Sequence, residues 1–209
     1  RVLFVPNGLY KHSVSRFIMK LQRETENDDF YTPQSLVWDC LDVLEKHLDI
    51  YDNSKQLRFL DPSAGYGAWF NEMEKNYFSD IVHYCEIKEG LDFFNCHDKY
   101  DIIVGNPPFS QLNRWLAHSV ALSDSIVAYI LPAHGLNHKR LCFMEAFGFE
   151  LVAMHSFQNP KAWNVGFAHF FCVWKKPKPF LIKEKEFNYC LQKELTYQYK
   201  LSDFGGDKE

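Results

Sequence analysis

Two short stretches combine residue types that could do chemistry. In Asn106-Pro107-Pro108-Phe109, two prolines fix the backbone directly after the apolar run 100–104 and hold the neighbouring carbonyls in set directions. The Asn106 side-chain oxygen and an adjacent main-chain carbonyl can accept both hydrogens of an amino group. That turns the nitrogen lone pair toward an electrophile while Phe109 stacks on a planar ring. Such a site takes a flat amine. In Asp61-Pro62-Ser63-Ala64-Gly65-Tyr66-Gly67, the two glycines permit a tight turn and close approach of a ligand to the backbone. Glu86 follows Gly67 by 19 positions, near the roughly 20 residues at which an acid meets ribose hydroxyls. A ribose-bearing cofactor fits. Phe70 stands where G-x-G-x-x-G has its third glycine, which weighs against a dinucleotide, and the Gly-Lys-Ser/Thr ending of a triphosphate loop is missing. The competing readings are structural: a tight turn, and a proline-stiffened strand exit with a core Phe.

These residues need a scaffold that brings both stretches to one edge, and the hydrophobic pattern supplies it. Leu36, Val37, Cys40, Leu41, Leu44 and Leu48 recur at helical spacing, with Pro33 suited to the first turn. The pattern then predicts a strand at 57–60, a helix at 68–77, strands at 81–85 and 100–104, a helix at 112–122, a strand at 126–131 and a helix at 137–147. Strands at 149–157 and 167–174 follow with no helix-length segment between them, so they form an antiparallel pair. Alternation of this kind predicts an α/β fold with a mostly parallel sheet and an antiparallel C-terminal hairpin. In such sheets ligands lie beyond the carboxyl ends of the strands, where both stretches fall.

Composition narrows the function classes. The 209 residues suit one sizeable core, and a 46% hydrophobic content without any run long enough for a membrane span predicts a soluble protein. A net charge of −4 excludes nucleic-acid binding by bulk electrostatics, so any such contact must be local. The six cysteines are dispersed, with no Cys/His cluster at zinc spacing, which reads as reduced thiols and no metal. Residues 1–23 carry five basic side chains and no acid, whereas 24–54 are strongly acidic. A basic arm for phosphates and a solvated extension explain the first stretch equally well. His134, His138, Lys139 and Arg140 fall on the same rim as Asn106, either as phosphate contacts or as a solvated helix start.

Taken in order, Phe30-Tyr31-Thr32-Pro33, Asp61 to Gly67, Glu86 and Asn106 to Phe109 resemble the motifs of S-adenosylmethionine-dependent N6-adenine DNA methyltransferases that carry the cofactor motifs first. The resemblance spans roughly residues 29–175 and implies a Rossmann-like class I methyltransferase fold. It implies that Tyr31, Thr32 and Pro33 close over the methionine end of the cofactor. Asp61, Ser63, Gly65 and Gly67 would line it, Glu86 would bind its ribose, and Ile87, Asp92 and Phe93 would border its adenine. Asn106 and the Pro107 carbonyl would hold the target N6 amino group, Pro108 would stiffen the loop, and Phe109 would stack on a flipped base. Methyl transfer would then be direct, with no cysteine nucleophile. A second aromatic wall comes from the loop between the last two strands, where Trp163, Phe157 and Phe167 are the choices.

Two departures from the family pattern matter. Glu86 and Asp92 are six residues apart, too close for an intervening helix, so the third strand region is shortened. After residue 175 too little chain remains for a target-recognition domain, so specificity must come from loops, the N-terminal arm or a protein partner. The expected organisation is a basic extension at 1–28, a methyltransferase domain at 29–176 and a tail at 177–209. The compact form resembles phage or mobile-element enzymes. That implies a bacterial or viral-host cytoplasm, or the nucleus or cytosol of a eukaryote. DNA is the preferred partner, RNA the next. The competing functions are a protein glutamine methyltransferase, against which Phe109 counts because that family more often has Tyr after the prolines, and a cofactor-binding subunit that needs a partner.

Overall fold

Leu36, Val37, Cys40, Leu41 and Leu44 are all buried along one face of α1 (Gln34–Glu45). Pro33 caps this helix in extended conformation, and its carbonyl accepts from the N–H groups of Leu36 and Val37 at 3.0 and 3.1 Å. The computed structural model describes residues 30–48, 56–77, 80–163 and 165–177. The predicted basic extension lies outside the described residues, as does the predicted tail apart from Pro177.

The chain continues through β1 (Arg58–Asp61), α2 (Ala68–Asn76), β2 (Ile81–Tyr84), β3 (Tyr100–Gly105), α3 (Leu112–Leu122), β4 (Ser123–Pro132), α4 (His138–Ala146), β5 (Glu150–Ser156) and β6 (His169–Lys175). The six strands lie in the order β2-β1-β3-β4-β6-β5. The first four are parallel to their neighbours, and β6 runs antiparallel to both β4 and β5. The expected α/β architecture and its terminal hairpin are present. From β1 the chain goes outward to β2 on one side and returns to β3 on the other, so the order reverses between β1 and β3. In sheets of this kind the crevice at such a reversal takes the ligand, here beyond Asp61 and Gly105.

Helices cover both sheet faces, and alternate residues of each central strand serve the two sides. Leu60, Ile103, Val127 and Tyr129 pack with Trp115 and Leu116 of α3 and Met144 of α4. Phe59, Ile102, Val104, Ala128 and Ile130 pack with Val37 and Leu41 of α1 and Trp69 and Met73 of α2. β3 is buried throughout, as a central parallel strand must be.

The segment between β2 and β3 holds no strand-length or α-helical element. It contains two single turns of 3-10 helix, Ile87–Glu89 and Phe93–Asn95, and a bridge between Glu86 and Leu91. β2 is therefore an edge strand, which agrees with the shortened third strand region read from the sequence. β4 starts at Ser123, three residues before the predicted strand, because α3 passes into it without a loop.

Buried Thr32 ties the stretch before α1 to α2, its Oγ1 accepting from Trp69 Nε1 at 3.2 Å. Thr32→Val leaves that indole N–H without a partner, and the expected cost is about 1–3 kcal/mol, measured by urea unfolding against wild type.

Candidate active site

Asp61 ends β1 and is fully buried. Its Oδ1 accepts from Ser63 N at 3.1 Å, while Oδ2 makes no hydrogen bond of good geometry. Burial pushes the Asp61 carboxyl up to about 7; the N–H groups of Ser63 and Phe70 offset part of this, and the Glu86 charge adds to it. The close packing explains Gly105, since a Cβ there would stand 3.0 Å from Asp61 Oδ1 and 3.3 Å from Pro62 Cδ. After Asp61 the chain turns sharply. Gly65 and Gly67 take left-handed φ values of 57° and 83°, and Gly67 caps α2.

Glu86 holds the same turn from the end of β2. Its Oε2 accepts from Gly65 N at 2.7 Å and its Oε1 from Lys88 N at 3.0 Å. The Tyr31 ring lies against the turn, 3.1 Å from where a Gly65 Cβ would be. Tyr66 stacks on Tyr31 with centroids 4.2 Å apart, and Lys88 Nζ donates to the Tyr31 hydroxyl at 2.9 Å.

The Asn-Pro-Pro-Phe stretch begins one residue beyond β3 and sits beside this turn. Ser63 Oγ donates to the Asn106 carbonyl at 3.0 Å, which joins the two loops. Asn106 Nδ2 donates to the Phe30 carbonyl at 2.6 Å, and its Oδ1 is buried with no partner. Pro107 is buried, Pro108 is half-buried, and Phe109 opens a single 3-10 turn that leads into α3. Phe109 stacks on Phe30, with centroids 5.2 Å apart and planes 22° apart. Buried Trp163 meets Phe30 edge-on at 5.9 Å and donates from Nε1 to the Tyr31 carbonyl at 2.8 Å. Phe157 lies edge-on to Trp163 at 6.1 Å.

His169, the first residue of β6, closes this aromatic group. It is fully buried, with its ring 5.3 Å from Phe109 and 4.9 Å from Trp163. Its Nδ1 lies 2.9 Å from Asn159 Oδ1, while Nε2 is buried without a partner. Burial pushes the imidazole down to about 4, with the nearby His134 adding to the effect.

Most of the residues singled out from the sequence therefore meet at one crevice. Asp61, Ser63, Gly65, Gly67, Glu86 and Tyr31 form one half, and Asn106 to Phe109 with Phe157 and Trp163 form the other. Thr32 and Pro33 stand behind them as structural pins. Ile87, Asp92 and Phe93, expected at the cofactor's adenine, stand in or at the start of the two 3-10 turns that follow Glu86. The Ile87 side chain is 72% exposed and the Phe93 ring is buried against Trp115 at 4.9 Å. The Asp92 carboxylate accepts from Phe94 N at 2.9 Å. Sequence reasoning missed Gly105, the role of the Phe30 ring, and the Asn159–His169 pair. Only Phe30 carried a signal, as the first residue of a motif already noted.

No family model and no curated protein matches the chain by sequence. Its fold does match solved structures. A Pyrococcus horikoshii protein assigned as an RNA methyltransferase superposes with a TM-score of 0.54 at 15% identity, over 82% of this chain and 98% of that one. The Synechocystis magnesium protoporphyrin IX methyltransferase, in a structure with bound S-adenosylmethionine, gives 0.53 at 13% identity, over 80% and 91%. The fold is that of the Rossmann-like methyltransferases. Within this methyltransferase fold the described crevice lies at the reversal of strand order, where α/β sheets bind ligands.

The buried Asp61 makes stability depend on pH. Its carboxyl sits near 7 in the folded protein against an ordinary 3.8, so the folded state binds the proton more tightly between those values. Its contribution is fully present below about 4 and is lost as pH rises through about 7. Thermal unfolding should show Asp61→Asn gaining stability relative to wild type across that interval and levelling off above it. A flat difference would reject the buried, proton-binding carboxyl.

Proposed function

We propose that the protein transfers a methyl group from S-adenosylmethionine to the N6 amino group of adenine in nucleic acid, DNA in preference to RNA. One observation carries this reading. Asn106 Oδ1 is a buried acceptor without a donor, its direction set by the Nδ2 bond to Phe30, and it stands beside an aromatic face on Phe109. An unpartnered buried acceptor costs roughly 1–3 kcal/mol, and the N–H of a planar amine would remove that cost.

The other half of the crevice fits the cofactor. The glycines of the Gly65–Gly67 turn carry no side chain and have only the Tyr31 ring and the Asn71 amide against them, Asp61 Oδ2 is a buried oxygen without a hydrogen-bond partner, and Glu86 offers carboxylate oxygens at the ribose position. Bound there, S-adenosylmethionine supplies an electrophilic methyl group on a positively charged sulfur. Asn106 and the Pro107 carbonyl orient the amine, the prolines keep those oxygens from swinging, and Phe109 stacks on the base. Phe30 now covers the Phe109 ring, so the target ring takes its place. Extracting adenine from a duplex costs a few kcal/mol, which favours unpaired or flipped bases. Burial raises the thiols of Cys85 and Cys172 to about 12, which leaves them protonated and suits transfer without a cysteine nucleophile. Arg140, half-buried and held by Asn113 Oδ1 at 2.8 Å and the Gly135 carbonyl at 2.9 Å, is a fixed cation for phosphate on the same rim.

Methyl transfer from isotope-labelled S-adenosylmethionine to separate pools of single-stranded DNA, duplex DNA, RNA and protein tests this reading, with nucleoside and peptide mass spectrometry as readout. Labelled N6-methyladenine in DNA is expected. Asn106→Ala should lower it on the order of 100-fold while leaving most cofactor affinity, because the lost side chain holds the amine and the Phe30 carbonyl rather than the cofactor. Label in glutamine alone would reject adenine as the target. In Gly65→Val the side chain meets the Tyr31 ring and a left-handed φ costing about 1–2 kcal/mol. Calorimetry should show cofactor affinity reduced about tenfold or more.

A further inference from the structure

We propose that His169 Nε2 shares with the Pro107 carbonyl the second hydrogen of the target amino group and takes up its proton as the methyl group is transferred. The inference rests on the amine-methylating reading above and adds a residue that no sequence motif marks. Two side-chain amides fix the polarity of the site. Asn106 Nδ2 donates to the Phe30 carbonyl at 2.6 Å, so Oδ1 is left as an acceptor. Asn159 Nδ2 donates to the Phe167 carbonyl at 2.6 Å, so its Oδ1 must accept. His169 Nδ1, 2.9 Å away, therefore carries the hydrogen of that bond. The neutral imidazole then has its lone pair on Nε2.

Both lone pairs are buried and both lack a donor. They belong to one aromatic cluster. The His169 ring lies 5.3 Å from Phe109 and 6.4 Å from Phe30, and the Phe30 carbonyl holds Asn106. Two unpartnered acceptors around one aromatic cluster are complementary to an –NH2 group on a planar carbon. A carboxylate or carbonyl ligand would add lone pairs where there are already two.

The chemistry also asks for a base here. As the amine nitrogen's pair forms the N–C bond and the C–S pair returns to sulfur, the nitrogen becomes positive. One N–H bond must then break with its pair staying on nitrogen. A main-chain carbonyl such as that of Pro107 can orient the hydrogen but is a poor resting place for the proton. Even an imidazole that burial holds near 4 is far more basic than a methylated, positively charged adenine amine, so Nε2 takes the proton, and Asn159 Oδ1 steadies the imidazolium through the Nδ1–H bond.

The full chain with 15N-labelled histidine provides the test. Titration with adenosine should move the His169 Nε2 resonance upfield, and N6,N6-dimethyladenosine, which has no N–H to give, should not. His169→Phe keeps a ring in the cluster and should bind S-adenosylmethionine as wild type does. It should also lower single-turnover methylation of single-stranded DNA on the order of 100-fold. His169→Gln, which retains an acceptor but cannot hold the proton, should keep adenosine binding without recovering the rate. Propionamide, a glutamine side-chain analogue, separates the two claims. If it alone moves the resonance, His169 stands as the amine acceptor and adenine as the target falls. A resonance unmoved by either amine, or an undiminished rate in His169→Phe, overturns the proposal.

Discussion

Everything at the crevice is arranged around a carboxylate that water does not reach. Asp61 ends β1 at the point where strand order reverses, and the chain beside it has to accommodate both its volume and its charge. Gly105 on the neighbouring strand leaves the space, because any larger residue would press on Oδ1 or on Pro62. Ser63 answers one oxygen with its N–H and uses its hydroxyl to hold the Asn106 carbonyl. The glycine turn and the proline-stiffened loop are thus anchored to the same few atoms. Moving Asp61 would displace the backbone of both.

Much of this was legible in the sequence, because the relevant signals are local. Glycine pairs, a proline pair and apolar periodicity act over a few residues, and the predicted strands and helices fall within a few residues of the observed ones. The contacts that complete the crevice are not local. Asn106 meets Phe30 across 76 positions and Trp163 meets Tyr31 across 132, and no periodicity reports such pairings. Gly105 illustrates the point: in the sequence it reads as the end of a strand, and only the neighbouring carboxylate explains it. Asn159 and His169 likewise look like ordinary loop and strand residues until their hydrogen-bond directions are traced.

The stretch after β2 shows what a family resemblance leaves open. Ile87, Asp92 and Phe93 fall in or beside two single turns, and their surroundings differ. Phe93 goes into the core, Ile87 goes to solvent, and Asp92 satisfies the N–H of Phe94. The shortness of this stretch leaves β2 as a sheet edge. The opposite edge is β5, where Leu151, Val152 and Met154 remain 38%, 39% and 56% exposed. Among the described residues the sheet is well covered at its centre, where β1, β3 and β4 adjoin, and thinly covered at its ends.

Trp163 and Tyr31 share a single hydrogen bond, yet they belong to different walls. Tyr31 rests on the glycine turn, and Trp163 belongs to the loop that borders Phe157 and His169. Any occupant that shifts one of them strains or frees the other. The two halves of the crevice are therefore thermodynamically linked, and the influence of one occupant's affinity on the other's must be equal in both directions. Occupancy of either half sets the shape that the other ligand meets.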